Sequence, residues 1–299
     1  MKEEILRLKK EKNAVILAHY YTPSDIQEIA DFVGDSFYLA KRAKQTDADI
    51  IVFCGVNFMG ESAKILNPDK KVLMPDVTAD CPMAYMADVK KIEQLRSQYD
   101  DLAVVCYINS TAELKSHSDV CVTSSNAVKI VKSLPNKNIF FIPDKNLGSF
   151  VAEKVKDKNI ILNDGCCPIH AAIKAEQLVA EKNSHKNALV LSHPECEAEI
   201  LKLSDYIGST AEIIDYVNSS DESEFIICTE DGVKYELILG NPEKRFYFPN
   251  PHPCCKDMKL NTLEKLLNVL KNEDNEIVLS EEKRQKALLP LERMLELGK

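Results

Sequence analysis

The stretch Ala14–Tyr21, AVILAHYY, decides how the rest of the chain is read. A run of Val, Ile and Leu without polar alternation is the pattern of a parallel strand buried on both faces. It ends in His19, Tyr20 and Tyr21, so polar side chains stand at the strand's carboxyl end. The same combination returns twice. AVVCYIN (103–109) reaches Tyr107 and ALVLSHPE (188–195) reaches His193, in steps of 88 and 86 residues. Self-similarity at a fixed period marks repeated structural units. Asp119 stands five residues before Ser124, and Asp205 five before Thr210; in the first copy Asp49 leads to Cys54, a poorer fit.

Other runs rich in Val, Ile or Phe lie between amphipathic stretches: DIIVFCGV, KVLMPD, VCVTSS, NIFFIPD, YIGST, EFIICTE and RFYFPN. Strands alternating with helical patterns indicate parallel sheets covered by helices. The expected fold is α/β, with three similar Rossmann-like three-layer domains of about 85 residues at 1–86, 87–170 and 171–279, and a C-terminal helix at 280–299 packed on the first. EIADFVGDSFYLAKRA reads as one helix ending at Gly34 and another opening at Asp35-Ser36. Ser124-Ser125-Asn126 and Ser209-Thr210 read as helix N-caps. First helical turns at these places also present N–H groups to an anion.

The chain has 299 residues, 45% of them apolar, enough for two or three domains. Its formal charge is −9, with both signs scattered, which leaves no cationic face for nucleic acid or an anionic membrane. MKEEILRLKKEKN reads as a charged amphipathic helix with Ile5 and Leu8 on one side, lacking the apolar centre of a signal peptide. No run approaches the roughly 20 apolar residues of a membrane span. Nine glycines form neither a dinucleotide nor a nucleoside-triphosphate loop.

Ten cysteines in a chain of this kind point to a reducing cytoplasm and to metal ligation or catalysis. Three obey the period: Cys81, Cys167 and Cys255 are 86 and 88 residues apart. Two of them sit in doublets, Cys166-Cys167 and Cys254-Cys255. Pro82 follows Cys81 as Pro168 follows Cys167, a habit of iron–sulfur ligands. Cys255 lies five residues after Asn250, as Cys81 lies five after Asp76, so Cys167 and Cys255 are the members chosen. No C-x-x-C occurs, against a structural zinc knuckle. One cysteine per unit suggests instead a [4Fe-4S] cluster with one iron not ligated by cysteine, free to act as a Lewis acid. The plainer alternative is scattered buried thiols, and that reading is taken for Cys54, Cys106, Cys121 and Cys228. Cys196 is expected at most to line the site.

His19, Tyr21, Tyr107, Asn109, His193 and Glu195 at the strand ends suit a small, oxygen-rich anion and proton transfer. The residues also resemble a known family, the quinolinate synthases of NAD biosynthesis. The resemblance runs through LAHYY, ADFVGDS, GVNFMGESAKILNPDKKVLMPD, DCPMA, YINSTAELK, VTSSNAVKIV, PDKNLG, CPIH, HPEC, IGST and CKDMKLNTLE, nearly the whole chain. It implies three domains around a pseudo-threefold axis. It also implies condensation of iminoaspartate (iminosuccinate) with dihydroxyacetone phosphate to quinolinate, with loss of phosphate and water, and a functional link to an enzyme producing iminoaspartate. Carried over, the cluster ligands are Cys81, Cys167 and Cys255. Substrate contacts fall on His19, Ser36, Tyr107, Ile108, Asn109, Ser124, His193, Pro194, Glu195, Ser209 and Thr210. Tyr21 and Glu195 become the acid–base pair, assisted by His19 and His193. The rival readings are an iron–sulfur hydro-lyase acting on another small dicarboxylate, a non-catalytic iron–sulfur redox sensor, and, weakest, a zinc-bound structural protein.

Overall fold

The computed structural model describes residues 1–299. Twelve strands form three four-stranded parallel sheets. The first contains β1 (Ala14–His19), β2 (Phe32–Gly34), β3 (Ile50–Cys54) and β4 (Lys71–Leu73). The second contains β5 (Leu102–Tyr107), β6 (Val120–Val122), β7 (Asn138–Ile142) and β8 (Asn159–Leu162). The third contains β9 (Leu189–Ser192), β10 (Tyr206–Ile207), β11 (Glu224–Cys228) and β12 (Arg245–Tyr247). Each sheet has its second strand at one edge, then the first, third and fourth. Strand order therefore reverses beside the first strand of every unit, and the crevice for a ligand opens at the carboxyl ends there.

Ten strands coincide with the apolar runs; β2 and β8 do not. The span read as a helix ending at Gly34 is divided: a helix covers Ser24–Ile29, and Phe32–Gly34 pairs with Leu17–His19 as an edge strand. The cause is Asp31. Its N–H reaches the Ile16 carbonyl at 2.9 Å and its carboxylate accepts the Ile16 N–H at 2.8 Å. Asp119 clasps Val104 in the same way (2.9 and 2.6 Å), and Asp205 clasps Val190 (2.9 and 2.8 Å). The true counterpart of Asp119 and Asp205 is thus Asp31, with Ser36 five residues later, rather than Asp49 with Cys54.

The helix caps follow the sequence in the first and third units and depart from it in the second. Asp35 caps the helix Ser36–Gln45 by accepting the Tyr38 N–H at 2.9 Å. Ser209 and Glu212 make a reciprocal capping box on Thr210–Ser219. Asn126 precedes Ala127–Ser133 without capping it, its side chain accepting instead from Thr123 N at 2.7 Å.

Both faces of the sheets are covered, which accounts for the unbroken apolar runs. In β11, Phe225 and Ile227 pack with Leu191 and Ile213, while Ile226 and Cys228 pack with Val190 and Leu178. The N-terminal helix Lys2–Glu11 buries Ile5 and Leu8 as its pattern implies. Residues 263–279, read as part of the third unit, pack on the first: Leu266, Val269 and Leu270 share a core with Ile5, Leu8 and Ile16, and Asn275 O accepts the Met74 N–H. The final helix, Glu281–Leu297, bridges two units, with Arg284 on the Ile65 carbonyl and Arg293 on the Asp119 carbonyl. No helix is long and apolar enough to cross a membrane.

Candidate active site

The carboxyl ends of all three sheets meet at one cavity of about 100 Å³. Its lining includes His19, Tyr21 and Ser36 from the first unit, Tyr107, Asn109 and Ser124 from the second, and His193, Glu195 and Thr210 from the third. Cys81, Cys167 and Cys255 line the same cavity, whereas Cys166 and Cys254 do not. Cys254 is exposed. Ile108, Pro194 and Ser209 are buried but stay out of the lining; the Ser209 hydroxyl is engaged by the Glu212 N–H. Cys196 also lies away from it, its thiol donating to the Cys228 carbonyl at 3.3 Å. Cys54, Cys106, Cys121 and Cys228 are buried in strands.

A main-chain N–H faces the Nδ1 atom of each of the two histidines. Tyr21 N–H donates to His19 Nδ1 at 3.2 Å, and Glu195 N–H donates to His193 Nδ1 at 3.3 Å. A ring nitrogen that accepts carries no proton, so in neutral His19 the hydrogen resides on Nε2, whereas His193 Nδ1 faces both the Glu195 N–H and, at 3.3 Å, Glu195 Oε2. Burial drives both rings toward neutrality, bringing His19 and His193 down to about 3. They are neutral donors, suited to a carboxylate without being its counter-ions.

Glu195 is a buried anion between His170 and His193. Its Oε2 lies 3.0 Å from His170 Nδ1 and 3.3 Å from His193 Nδ1. Burial pushes its carboxyl up, but the adjacent His170 ring leads the interactions that outweigh this and leave it below the ordinary glutamate value. Its Oε1 has no partner, nor does Asn109 Oδ1. Two buried acceptors without donors cost free energy unless a ligand supplies them. Tyr21 crosses from the first unit to the third, its hydroxyl 2.6 Å from Thr210 Oγ1 and 2.8 Å from Thr229 Oγ1. Burial raises its phenol well above the usual range, so it holds its proton until a stronger demand is made.

Sequence reasoning missed the groups that support these side chains. His170 sits one helical turn from Cys167, its Nδ1 3.2 Å from the sulfur and its Nε2 3.0 Å from Thr229 Oγ1. Cys167, His170 and Glu195 offer ligand atoms within 4.8 Å of one another. Lys259 donates to the Tyr21 carbonyl at 2.8 Å and pairs with Glu230 at 2.9 Å. The spacing of His170 three residues after Cys167 was a usable signal; the reach of Lys259 was not.

Burial raises all three lining thiols, Cys81 to about 12 and Cys255 to about 11, with Cys167 well above its usual value. Thiolates form in such a place when a metal compensates their charge, and a cavity lined by three cysteines is compatible with an iron–sulfur centre.

Residues 3–296 match the family model described as "NadA: Quinolinate synthetase A protein". A quinolinate synthase of Fusobacterium nucleatum is 55% identical over 298 residues, covering 100% of this chain and 99% of the relative. Those of Clostridioides difficile and Caldicellulosiruptor bescii are each 52% identical, covering 99% and 100% of this chain and 97% and 98% of their own. Similarity of that extent leaves no unit of the fold unmatched, and the chain belongs to the quinolinate synthase A family.

Proposed function

We propose that the protein is a quinolinate synthase, joining iminoaspartate to dihydroxyacetone phosphate and releasing phosphate and water as the pyridine ring closes. The observation that carries this is the convergence, in one cavity, of one cysteine from each repeat with His19, His193, Tyr21 and Glu195. Membership of the family supports it. Cys81, Cys167 and Cys255 would hold a [4Fe-4S] cluster; when bound, its iron without a cysteine supplies Lewis acidity.

The chain's own groups divide the remaining work. His19 presents its Nε2–H donor to a substrate carboxylate, with the neutral His193 ring beside it. Ser36 and Thr210 open the first turns of their helices, and Ser124 lies just before a third, where main-chain N–H groups favour a second anionic group. Glu195 receives protons through its unpartnered oxygen. Tyr21, held between Thr210 and Thr229, returns a proton to a departing oxygen. Enclosure by three units excludes bulk water from a dehydration.

Anaerobic protein reconstituted with iron and sulfide should be brown, bind iron and form quinolinate from the two substrates. Quinolinate absent while another dicarboxylate is dehydrated would transfer the site to a hydro-lyase. Iron-free, inactive protein after reconstitution would end the proposal. A cytoplasmic location and a supplier of unstable iminoaspartate close at hand belong to the same proposal.

A further inference from the structure

Two residues past the end of the third strand, the second and third units place an acidic side chain: Asp144 after β7 and Glu230 after β11, 86 residues apart. Both are shut away from solvent, at 0% and 1% exposure. Each divides its oxygens between two main-chain N–H groups. Asp144 Oδ1 accepts from Leu147 at 2.7 Å and Oδ2 from Cys167 at 3.0 Å. Glu230 Oε2 accepts from Gly232 at 2.7 Å and Oε1 from Cys255 at 2.9 Å. The first unit has Val56 at the equivalent place. There Asp80 substitutes, accepting the Cys81 N–H at 2.8 Å while its other oxygen takes the Tyr85 hydroxyl at 2.6 Å. The main-chain N–H of each cysteine facing the cavity thus ends on a carboxylate.

We infer that Asp144 and Glu230, with Asp80 in the first unit, are positioning residues for the iron–sulfur cluster. The inference rests on the reading of Cys81, Cys167 and Cys255 as its ligands. Two consequences follow from the geometry. In the doublets, a carboxylate that holds the N–H of the second cysteine fixes which thiol turns to the axis, Cys167 over Cys166 and Cys255 over Cys254. In both doublets the N–H so held belongs to the cysteine whose side chain lines the cavity. Secondly, an N–H committed to a carboxylate is withheld from the cluster's sulfurs. Hydrogen bonds to those sulfurs and nearby charge tune a cluster electronically, so the three clamps set its spectroscopic state as well as its place. Glu230 does one thing more: through Lys259 it ties the Cys255 loop to the Tyr21 carbonyl, a link Asp144 lacks.

Asp144→Asn, Glu230→Gln and Asp80→Asn test this in the full-length, anaerobically reconstituted protein. An amide accepts at one oxygen only, and its NH₂ meets the second N–H donor to donor. The measurements are iron per chain, the rate of iron loss to a ferrous chelator, the EPR spectrum of the reduced cluster, and the melting temperature. Expected for Asp144→Asn and Glu230→Gln are iron loss at least tenfold faster than the parent and altered g-values. Asp80 is partly exposed, so Asp80→Asn should fold whatever the buried variants do, and should lose iron at least threefold faster. The control is Val217→Ala, a core truncation in the third unit away from the cavity. Iron loss within twofold of the parent with unchanged EPR overturns the inference. So does equal acceleration in Val217→Ala at a matched melting temperature. A parent that takes up no iron is seen before any variant is compared, and it overturns the ligand reading together with this inference.

Discussion

Replacing His19 by Asn should make the metal-free protein less sensitive to acid. His19 is held at about 3 in the fold by burial, against an ordinary value near 6.5 once unfolded. As pH falls through 6.5 the unfolded chain takes up a proton that the folded one refuses. The depressed ring therefore costs stability progressively from about pH 6.5 down toward pH 3 and costs almost nothing above pH 7. Between pH 7 and pH 5 the linkage amounts to about 2 kcal/mol for this single ring. Urea unfolding at pH 7, 6 and 5, with iron chelated, reads it as the difference between parent and His19→Asn. Comparing the two proteins removes the contributions of Glu195, Asp144 and other buried acids common to both. The parent should lose about 2 kcal/mol more than the variant over that span. In parallel, the His19 ring-proton NMR signal, assigned by its disappearance in the variant, should not move between pH 8 and pH 5. Equal losses within about 0.5 kcal/mol, or a ring that titrates near 6.5, would refute the neutral-donor reading of the site.

Further outcomes are expected elsewhere around the cavity. Tyr21→Phe removes the hydroxyl shared by Thr210 and Thr229; it should lower stability by about 1–2 kcal/mol and quinolinate formation by roughly 10²- to 10⁴-fold, read by calorimetry and by product assay. Gly232→Ala would bring a Cβ within 2.7 Å of Tyr21 Cα, so it should cost about 1–3 kcal/mol in denaturant titration and raise KM by displacing the Tyr21 turn. Cys166→Ala and Cys254→Ala should keep full iron content while Cys255→Ala loses it; an iron-free Cys254→Ala beside a normal Cys255→Ala would reverse the assignment.

How much could be read in advance depended on whether a residue's partner lay close in the sequence or only in space. The long buried strands declared themselves through unbroken Val, Ile and Phe, and the 86- and 88-residue steps brought His19, Tyr107, His193 and three cysteines into correspondence before any contact was known. β2 escaped because three residues of edge strand carry no period and FVG sits between two helical stretches. Its marker was Asp31, whose clasp on Ile16 matters only once the strands are paired. Asp49, standing before the conspicuous β3, took its place in the reading. Asp144 and Glu230 also lay on the repeat, but the first unit carries Val56 there, and the broken triplet hid the pattern. Thr229 and Lys259 reach Tyr21, and residues 263–279 reach the first unit, across more than 180 residues, a separation at which spacing carries no signal.

The return of that late segment to the first unit has a consequence for biosynthesis. Ile5, Leu8 and Ile16 emerge from the ribosome long before Leu266, Val269 and Leu270, which complete their core. At common translation rates the first unit waits roughly 10–40 s with an apolar face uncovered. The nascent chain should therefore depend on a holding chaperone over that interval, and a chain truncated at residue 260 should bind a hydrophobic dye that the complete chain ignores. A truncated chain as silent toward the dye as the full one would show that the first unit closes without its last helix.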